Sequence, residues 1–429
     1  MEKTALYLLL LFSWLTYGQR DTLPLPNSHF VITPEISIGI TADANSLFPE
    51  HGLQKQLLLN LGWEHDYRNE EWAQRLKGPR TGISFGITDF DNSEKLGYAF
   101  SAMPFIEFNA FRSNRLKVQV ATGASYFSNQ YDSIQNPNNQ AVTTNVTWSF
   151  KMFSWYQLSR GKTVDWRAGL GYFHHSNGHT RLPNQGFNSF LVSLAGDLHG
   201  QANFREKPIS EYRNHGFEAS SYTYSNVRYG LGYNVLAKPF NERAEVHTIS
   251  AELGRVYNKT YKVGIGMYYR FYRSYYDYIK GNESLVQEGR EFASYRENPL
   301  QYASNIGVTA QGEVLLNHFG ISLQLGLNLY KPGYKIDWRI NQGWSYVPRV
   351  FPEVSNVVLG EFNTKYRLKQ LISSRLGLKY YLLSTHTVPT HNLYLGCFIN
   401  SNLGQADFTE ASIGYVHNFN LKKKIGRCF

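Results

Sequence analysis

The sequence predicts an all-β, transmembrane antiparallel β-barrel. Three observations carry that prediction: long segments alternate apolar and polar residues, aromatic residues are abundant although mean hydropathy is negative, and an export signal precedes them. The chain is 42% hydrophobic and 15% aromatic, with 31 Tyr and 27 Phe, yet its mean hydropathy is −0.39. No run in the mature region approaches the ~20 apolar residues of a membrane helix. Strands reconcile these facts, because only alternate residues touch lipid and aromatic side chains gather at the two interfaces. The alternative, a soluble secreted sandwich, is disfavoured by the number of long alternating segments.

Residues 1–18 are predicted to be a signal peptide. Lys3 precedes a short apolar core from Leu6 to Leu15, and Thr16, Tyr17, Gly18 and Gln19 form a cleavage region. That core is too short to span a bilayer. Residues 19–429 are then read as one barrel with surface loops. Strand segments fall at 31–42, 53–65, 80–91, 95–110, 115–127, 144–158, 163–175 and 187–198 in the first half. In the second half they fall near 214–235 (one or two strands), 246–257, 260–274, 302–315, 318–331, 372–385, 390–400 and 408–419. Ile36, Ile38 and Ile40 oppose Glu35, Ser37 and Gly39; Phe319, Ile321, Leu323, Leu325, Leu327 and Leu329 oppose Gly320, Ser322, Gln324, Gly326 and Asn328. This is the period of two that a strand requires. Single-chain bacterial barrels close with an even strand number, so 14 or 16 strands are expected, with 12 as the lower bound. The polar stretches 199–213, 275–300 and 332–366 read as loops. Of the two cysteines, Cys397 shares an apolar strand face with Leu393, Leu395 and Ile399, a packing position.

One loop stands apart. His174-His175-Ser176-Asn177-Gly178-His179-Thr180-Arg181-Leu182-Pro183-Asn184-Gln185-Gly186-Phe187-Asn188 joins two alternating segments. Before it, Val164, Trp166, Ala168, Leu170 and Tyr172 share the apolar face, and the same count places His174 and Ser176 there. After it, Phe190, Val192 and Leu194 continue the face, with Asn188 at its start. Polar side chains thus interrupt two lipid-facing surfaces. If odd strands run outward, the seventh ends at this loop and puts it on the cell surface. The short turns near 111–114 and 159–162 and the longer loop 128–143 agree; the long connection 66–79 and the short one 92–94 fit less well.

Side chains two apart on a strand face stand ~6.6 Å apart at the backbone, a gap that an imidazole and a hydroxymethyl can close. His174 can therefore serve as general base for a Ser176 nucleophile, with Asn188 holding the other ring nitrogen. Asn177 and the backbone amides of Asn177 and Gly178 are candidates for an oxyanion site. Gly178, Pro183 and Gly186 suit a tight turn. By parity His175 faces inward, while His179 lies in the loop.

The pattern H-x-S-N, a following Pro-Asn-x-Gly, and a polar residue twelve positions after the serine resemble the lipid A 3-O-deacylases, outer-membrane barrels that remove an ester-linked acyl chain. On that resemblance His174 matches the general base, Ser176 the nucleophile and Asn177 part of the oxyanion region; Pro183, Asn184 and Gly186 match the loop. Two departures stand out. The family's third catalytic residue is an acid, where this chain has Asn188, and its simplest members have eight strands, fewer than this length provides.

The formal charge is +10 and the isoelectric point about 9.2. In an exported barrel the matching counter-charges are lipid A phosphates rather than nucleic acid, and Arg181 is the candidate head-group contact. The expected function is a serine esterase acting on lipid A, of the deacylase or acyloxyacyl hydrolase type, in the outer membrane, with no metal and no organic cofactor. The competing reading is a transport or porin-like barrel carrying a degenerate motif.

Overall fold

The computed structural model describes residues 29–65, 70–110, 115–198, 217–341, 344–346, 356–358, 363–419 and 422–423. The expected signal peptide at 1–18 lies outside the described residues.

Eight strands close on themselves in the first half: β1 (His29–Ala42), β2 (Gln54–Glu64), β3 (Arg80–Asp89), β4 (Tyr98–Asn109), β5 (Leu116–Phe127), β6 (Val146–Ser159), β7 (Val164–Ser176) and β8 (Phe187–Leu198). The closing seam is β1 against β8, antiparallel, from Ile32 opposite Leu198 to Ala42 opposite Asn188. A second set begins with β9 (Ser220–Asn234), β10 (Ala244–Tyr257), β11 (Tyr261–Tyr272), β12 (Ser304–Leu316) and β13 (Phe319–Tyr330). After a short hairpin, β14 (Trp344–Tyr346) with β15 (Asn356–Val358), it continues through β16 (Ile372–Tyr381), β17 (His391–Asn402) and β18 (Gln405–Asn418). Here β9 pairs with both β10 and β18, closing a second eight-stranded barrel. A last pair of residues, Lys422–Lys423, aligns with Ser221 and Ser220 as β19.

The antiparallel barrel class and sixteen wall strands agree with the sequence; their closure does not. The expected single barrel is two barrels of eight, because the end of β8 returns to β1 instead of pairing with β9. Alternation within a strand specifies its two faces but not its neighbour. The segment 214–235 contributes one strand among the described residues, β9. The two later stretches read as loops contain helices Arg273–Lys280, Pro299–Tyr302, Tyr334–Ile340 and Asn363–Leu371.

The period of two explains both walls. Ile36, Leu170, Phe190, Val192, Ile265, Leu325 and Leu329 are exposed outward, while Glu35, Lys151, Arg167, Glu313, Arg375 and Glu410 are buried inward. An eight-stranded barrel has an interior just wide enough for side chains to fill. In the first barrel Lys151 Nζ meets Glu35 at 2.7 Å, Arg167 meets Glu107 at 2.6 Å and Arg80 meets Asp197 at 2.9 Å. In the second, Lys379 meets Glu313 at 2.7 Å, and Arg375 and Arg228 both meet Glu410. Pairing is what makes such burial tolerable, since a lone charge removed from water would cost several kcal/mol. Apolar layers complete the filling. Phe90, Phe127, Ala141, Val142 and Phe187 close the first barrel at the end bearing the motif. Tyr272, Tyr275, Tyr278, Phe292, Tyr295 and Ile336 do the same in the second.

The connection between β2 and β3, long where parity wants a short turn, carries a helix at Glu71–Arg75 that docks under the second barrel. Asn317 Nδ2 donates to Glu70 at 2.9 Å and Tyr261 donates to Arg75 O at 3.3 Å. Its length therefore serves a contact between barrels.

Candidate active site

Register between β6, β7 and β8 brings the motif's polar side chains together. His174 stands opposite Asn188 on β8, and Ser176 stands opposite Trp148 on β6. Because His174 and Ser176 share the outward face, they lie on the barrel's outer wall, next to Tyr172, Phe190 and Met152. His175, one residue out of phase, turns into the lumen. There it hydrogen-bonds Ser149 at 2.9 Å and continues a belt through Ser149, Ser125 and Ser101.

Two donors converge on Asn188 Oδ1: His174 Nδ1 at 2.8 Å and the Tyr172 hydroxyl at 2.5 Å. That convergence turns the amide oxygen toward the ring and makes Nδ1 the protonated nitrogen, leaving Nε2 as the basic one. Tyr172, grouped with the apolar residues by the sequence pattern, is the neighbour whose hydroxyl reaches Asn188. Its signal was present, since it lies two before His174 on the same face.

Ser176 is 6% exposed, and its Oγ accepts hydrogen bonds from Asn184 Nδ2 at 2.9 Å and from the Gly178 amide at 3.3 Å. Among the described residues it is not hydrogen-bonded to His174. The two side chains share a face, but the loop holds the hydroxyl, so a serine rotation is needed for them to meet. Such contacts commonly tighten only with substrate.

Asn177 is 3% exposed, with its side chain and both backbone groups engaged, its carbonyl accepting from Thr180 Oγ1 at 3.0 Å. Its amide donates to Asn184 Oδ1 at 2.9 Å, its Nδ2 to Arg181 O at 2.7 Å, and its Oδ1 accepts from the Thr180 amide at 3.2 Å. It organises the loop and aims no free donor at Ser176. The donors at the serine come instead from Gly178 and Asn184. Gly178 has φ +68° and Gly186 has φ +75°, both in the left-handed region that favours glycine. A Cβ at Gly186 would lie 2.9 Å from His174 Cε1, so the turn passes close against the ring. The side chain of Arg181 is exposed at the loop's rim.

Residues 57–196 match the family model described as lipid A 3-O-deacylase (PagL), a span running from β2 to β8 and containing the whole motif loop. No curated protein matches the chain. Among solved structures, the outer membrane enzyme PagL is 16% identical, covering 38% of this chain and 97% of its own, with a TM-score of 0.29. The NanC porin is 7% identical over 91% of this chain and 100% of its own, with a TM-score of 0.15. An outer membrane channel from Pseudomonas putida F1 is 9% identical over 94% and 99%, with a TM-score of 0.17. The match to that family model falls within the first barrel and leaves the second barrel, from β9 onward, outside it.

Proposed function

We propose that the protein is an outer-membrane serine esterase that hydrolyses an ester-linked acyl chain of lipid A at the outer leaflet. The observation that carries this reading is the arrangement on the outer wall of the first barrel. Ser176 Oγ sits against two N–H donors while the neighbouring His174 is fixed through Nδ1 by Asn188.

In the proposed reaction, the Ser176 hydroxyl rotates toward His174 Nε2, which accepts its proton as Oγ bonds to the ester carbonyl carbon. The carbonyl oxygen becomes an oxyanion, and the Gly178 amide and Asn184 Nδ2 stabilise it. Collapse breaks the bond to the sugar oxygen, which leaves with the proton from His174. Water, deprotonated by the same imidazole, then attacks the acyl-serine and releases the fatty acid. Asn188 keeps the ring in the useful tautomer but carries no charge to balance the imidazolium. Arg181, at the rim, is placed for a lipid A phosphate.

The alternative transport reading needs a lumen that water can enter, and both lumens are filled by buried ion pairs and aromatic layers. That packing favours chemistry on the wall over passage through the middle. The deciding test is mass spectrometry of lipid A incubated with the refolded protein and with Ser176→Ala. Loss of one acyl chain with the parent alone supports the reading. Unchanged lipid A with both, where an active deacylase works, rejects it.

A further inference from the structure

We infer that the second barrel is part of the esterase site: Asn241, Val235 and Thr409 are positioning residues that clamp the loop holding the Ser176 oxygen. Asn241, in the β9–β10 connection, makes a two-point contact with the backbone of Leu182. Its Oδ1 accepts from the Leu182 amide at 2.8 Å, and its Nδ2 donates to the Leu182 carbonyl at 2.6 Å. The Val235 amide donates to His179 O at 3.1 Å. On β18, Thr409 Oγ1 accepts from Trp148 Nε1 at 2.9 Å, fixing the indole that stands opposite Ser176. A Cβ at Gly178 would collide with the same Thr409 oxygen, so the second barrel presses against the residue whose amide faces the serine. Lys238, over the Tyr131 ring at 5.6 Å, adds a contact beside these.

These contacts hold the loop at Gly178, His179 and Leu182, a span that includes one donor to Ser176 and leads directly into the other, Asn184. None of the three clamp residues belongs to the 57–196 segment that the deacylase family model matches. A loop held only from its own barrel would have to order these backbone groups unaided, and small displacements of an oxyanion donor are costly in rate.

The inference rests on the esterase reading, so the test has two separate arms. Asn241→Ala and Thr409→Val are made in the full chain and checked for heat-modifiable migration, the mark of a folded barrel. On a chromogenic short-chain ester, each is expected to lower kcat about tenfold as the loop loses its anchor and its donors shift, while KM stays within about twofold. Thr409→Ser, which keeps the oxygen, is expected to restore kcat. In the second arm, amide hydrogen exchange across Gly178–Leu182 is expected to quicken about tenfold in Asn241→Ala. Parental kcat together with parental exchange in that variant would overturn the clamp. A parent protein without Ser176-dependent hydrolysis would overturn the esterase reading instead, and the exchange arm would still decide whether the second barrel holds the loop.

Discussion

Replacing Asn188 by aspartate isolates what a charge adds to a site already built around an amide. In serine-protease triads, changing the acid to its amide lowers turnover by about four powers of ten, largely because the histidine takes the wrong tautomer. Here that part of the loss should be absent. Two donors, His174 Nδ1 at 2.8 Å and the Tyr172 hydroxyl at 2.5 Å, already fix the oxygen toward the ring. What aspartate adds is a charged acceptor for an imidazolium that forms only in the transition state. Neutral hydrogen bonds contribute about 1 kcal/mol and charged ones about 1.5–3. The gain is therefore about 0.5–2 kcal/mol, or roughly 2- to 30-fold in kcat at 1.36 kcal/mol per decade. Asn188→Leu should act in the opposite direction by freeing the ring and stranding the Tyr172 hydroxyl, at a cost of about 30- to 150-fold. The assay is the initial rate of ester hydrolysis in mixed micelles at pH 8, with folding checked by gel migration. A parental rate in Asn188→Leu would refute the orienting role of Asn188, and a slower Asn188→Asp would refute the charge argument.

Other consequences can be measured directly. Tyr172→Phe removes one of the two donors that turn the Asn188 amide, and kcat should fall about fivefold with KM unchanged in the same assay. Gly178→Ala puts a Cβ at φ +68° and against Thr409, so hydrolysis should fall by more than tenfold while the barrel still migrates as folded. Lys151→Met strands the buried Glu35 carboxylate and should cost about 3–5 kcal/mol in urea unfolding, with Glu35→Gln/Lys151→Met recovering most of it. In the cap over the second barrel, burial and the nearby Asp407 carboxylate push the Asp337 carboxyl up to about 7, against the opposing charges of Lys331 and Lys369. Its folded value lies above the unfolded one, so its contribution is complete below about pH 4 and is lost as pH rises through about 7. Limited proteolysis within Arg273–Ile340 should quicken between pH 5 and pH 7 in the parent, level off above that, and stay flat in Asp337→Asn; equal slopes would reject the assignment.

The parts of the site that adjacency along the chain controls were legible beforehand. Counting by twos from Val164 placed His174 and Ser176 on the outer face and His175 inside, and the structure puts them there. Asn188 was legible as a face position, and the pairing of β7 with β8 sets it opposite His174. The partner of each donor was not legible. Of the loop candidates Asn177, Gly178 and Asn184, Asn177 has its polar groups engaged within the loop, and the side chain that reaches Ser176 Oγ is that of Asn184, eight residues from the serine. Tyr172 was hidden because an aromatic residue on a lipid-facing strand is unremarkable until its hydroxyl is seen to reach Asn188.

The strands, their two faces and the position of the motif at a strand end follow from adjacent residues alone, because they depend on a local period of two and on turn residues. The closure of sixteen strands as two barrels is a matter of long-range pairing, since it depends on which edges find each other across more than a hundred residues. That closure fills both lumens, and it brings Thr409 and Asn241 against the loop of a serine more than fifty residues away in the chain. No local pattern encodes such a meeting: it arises from the packing of one finished barrel against another.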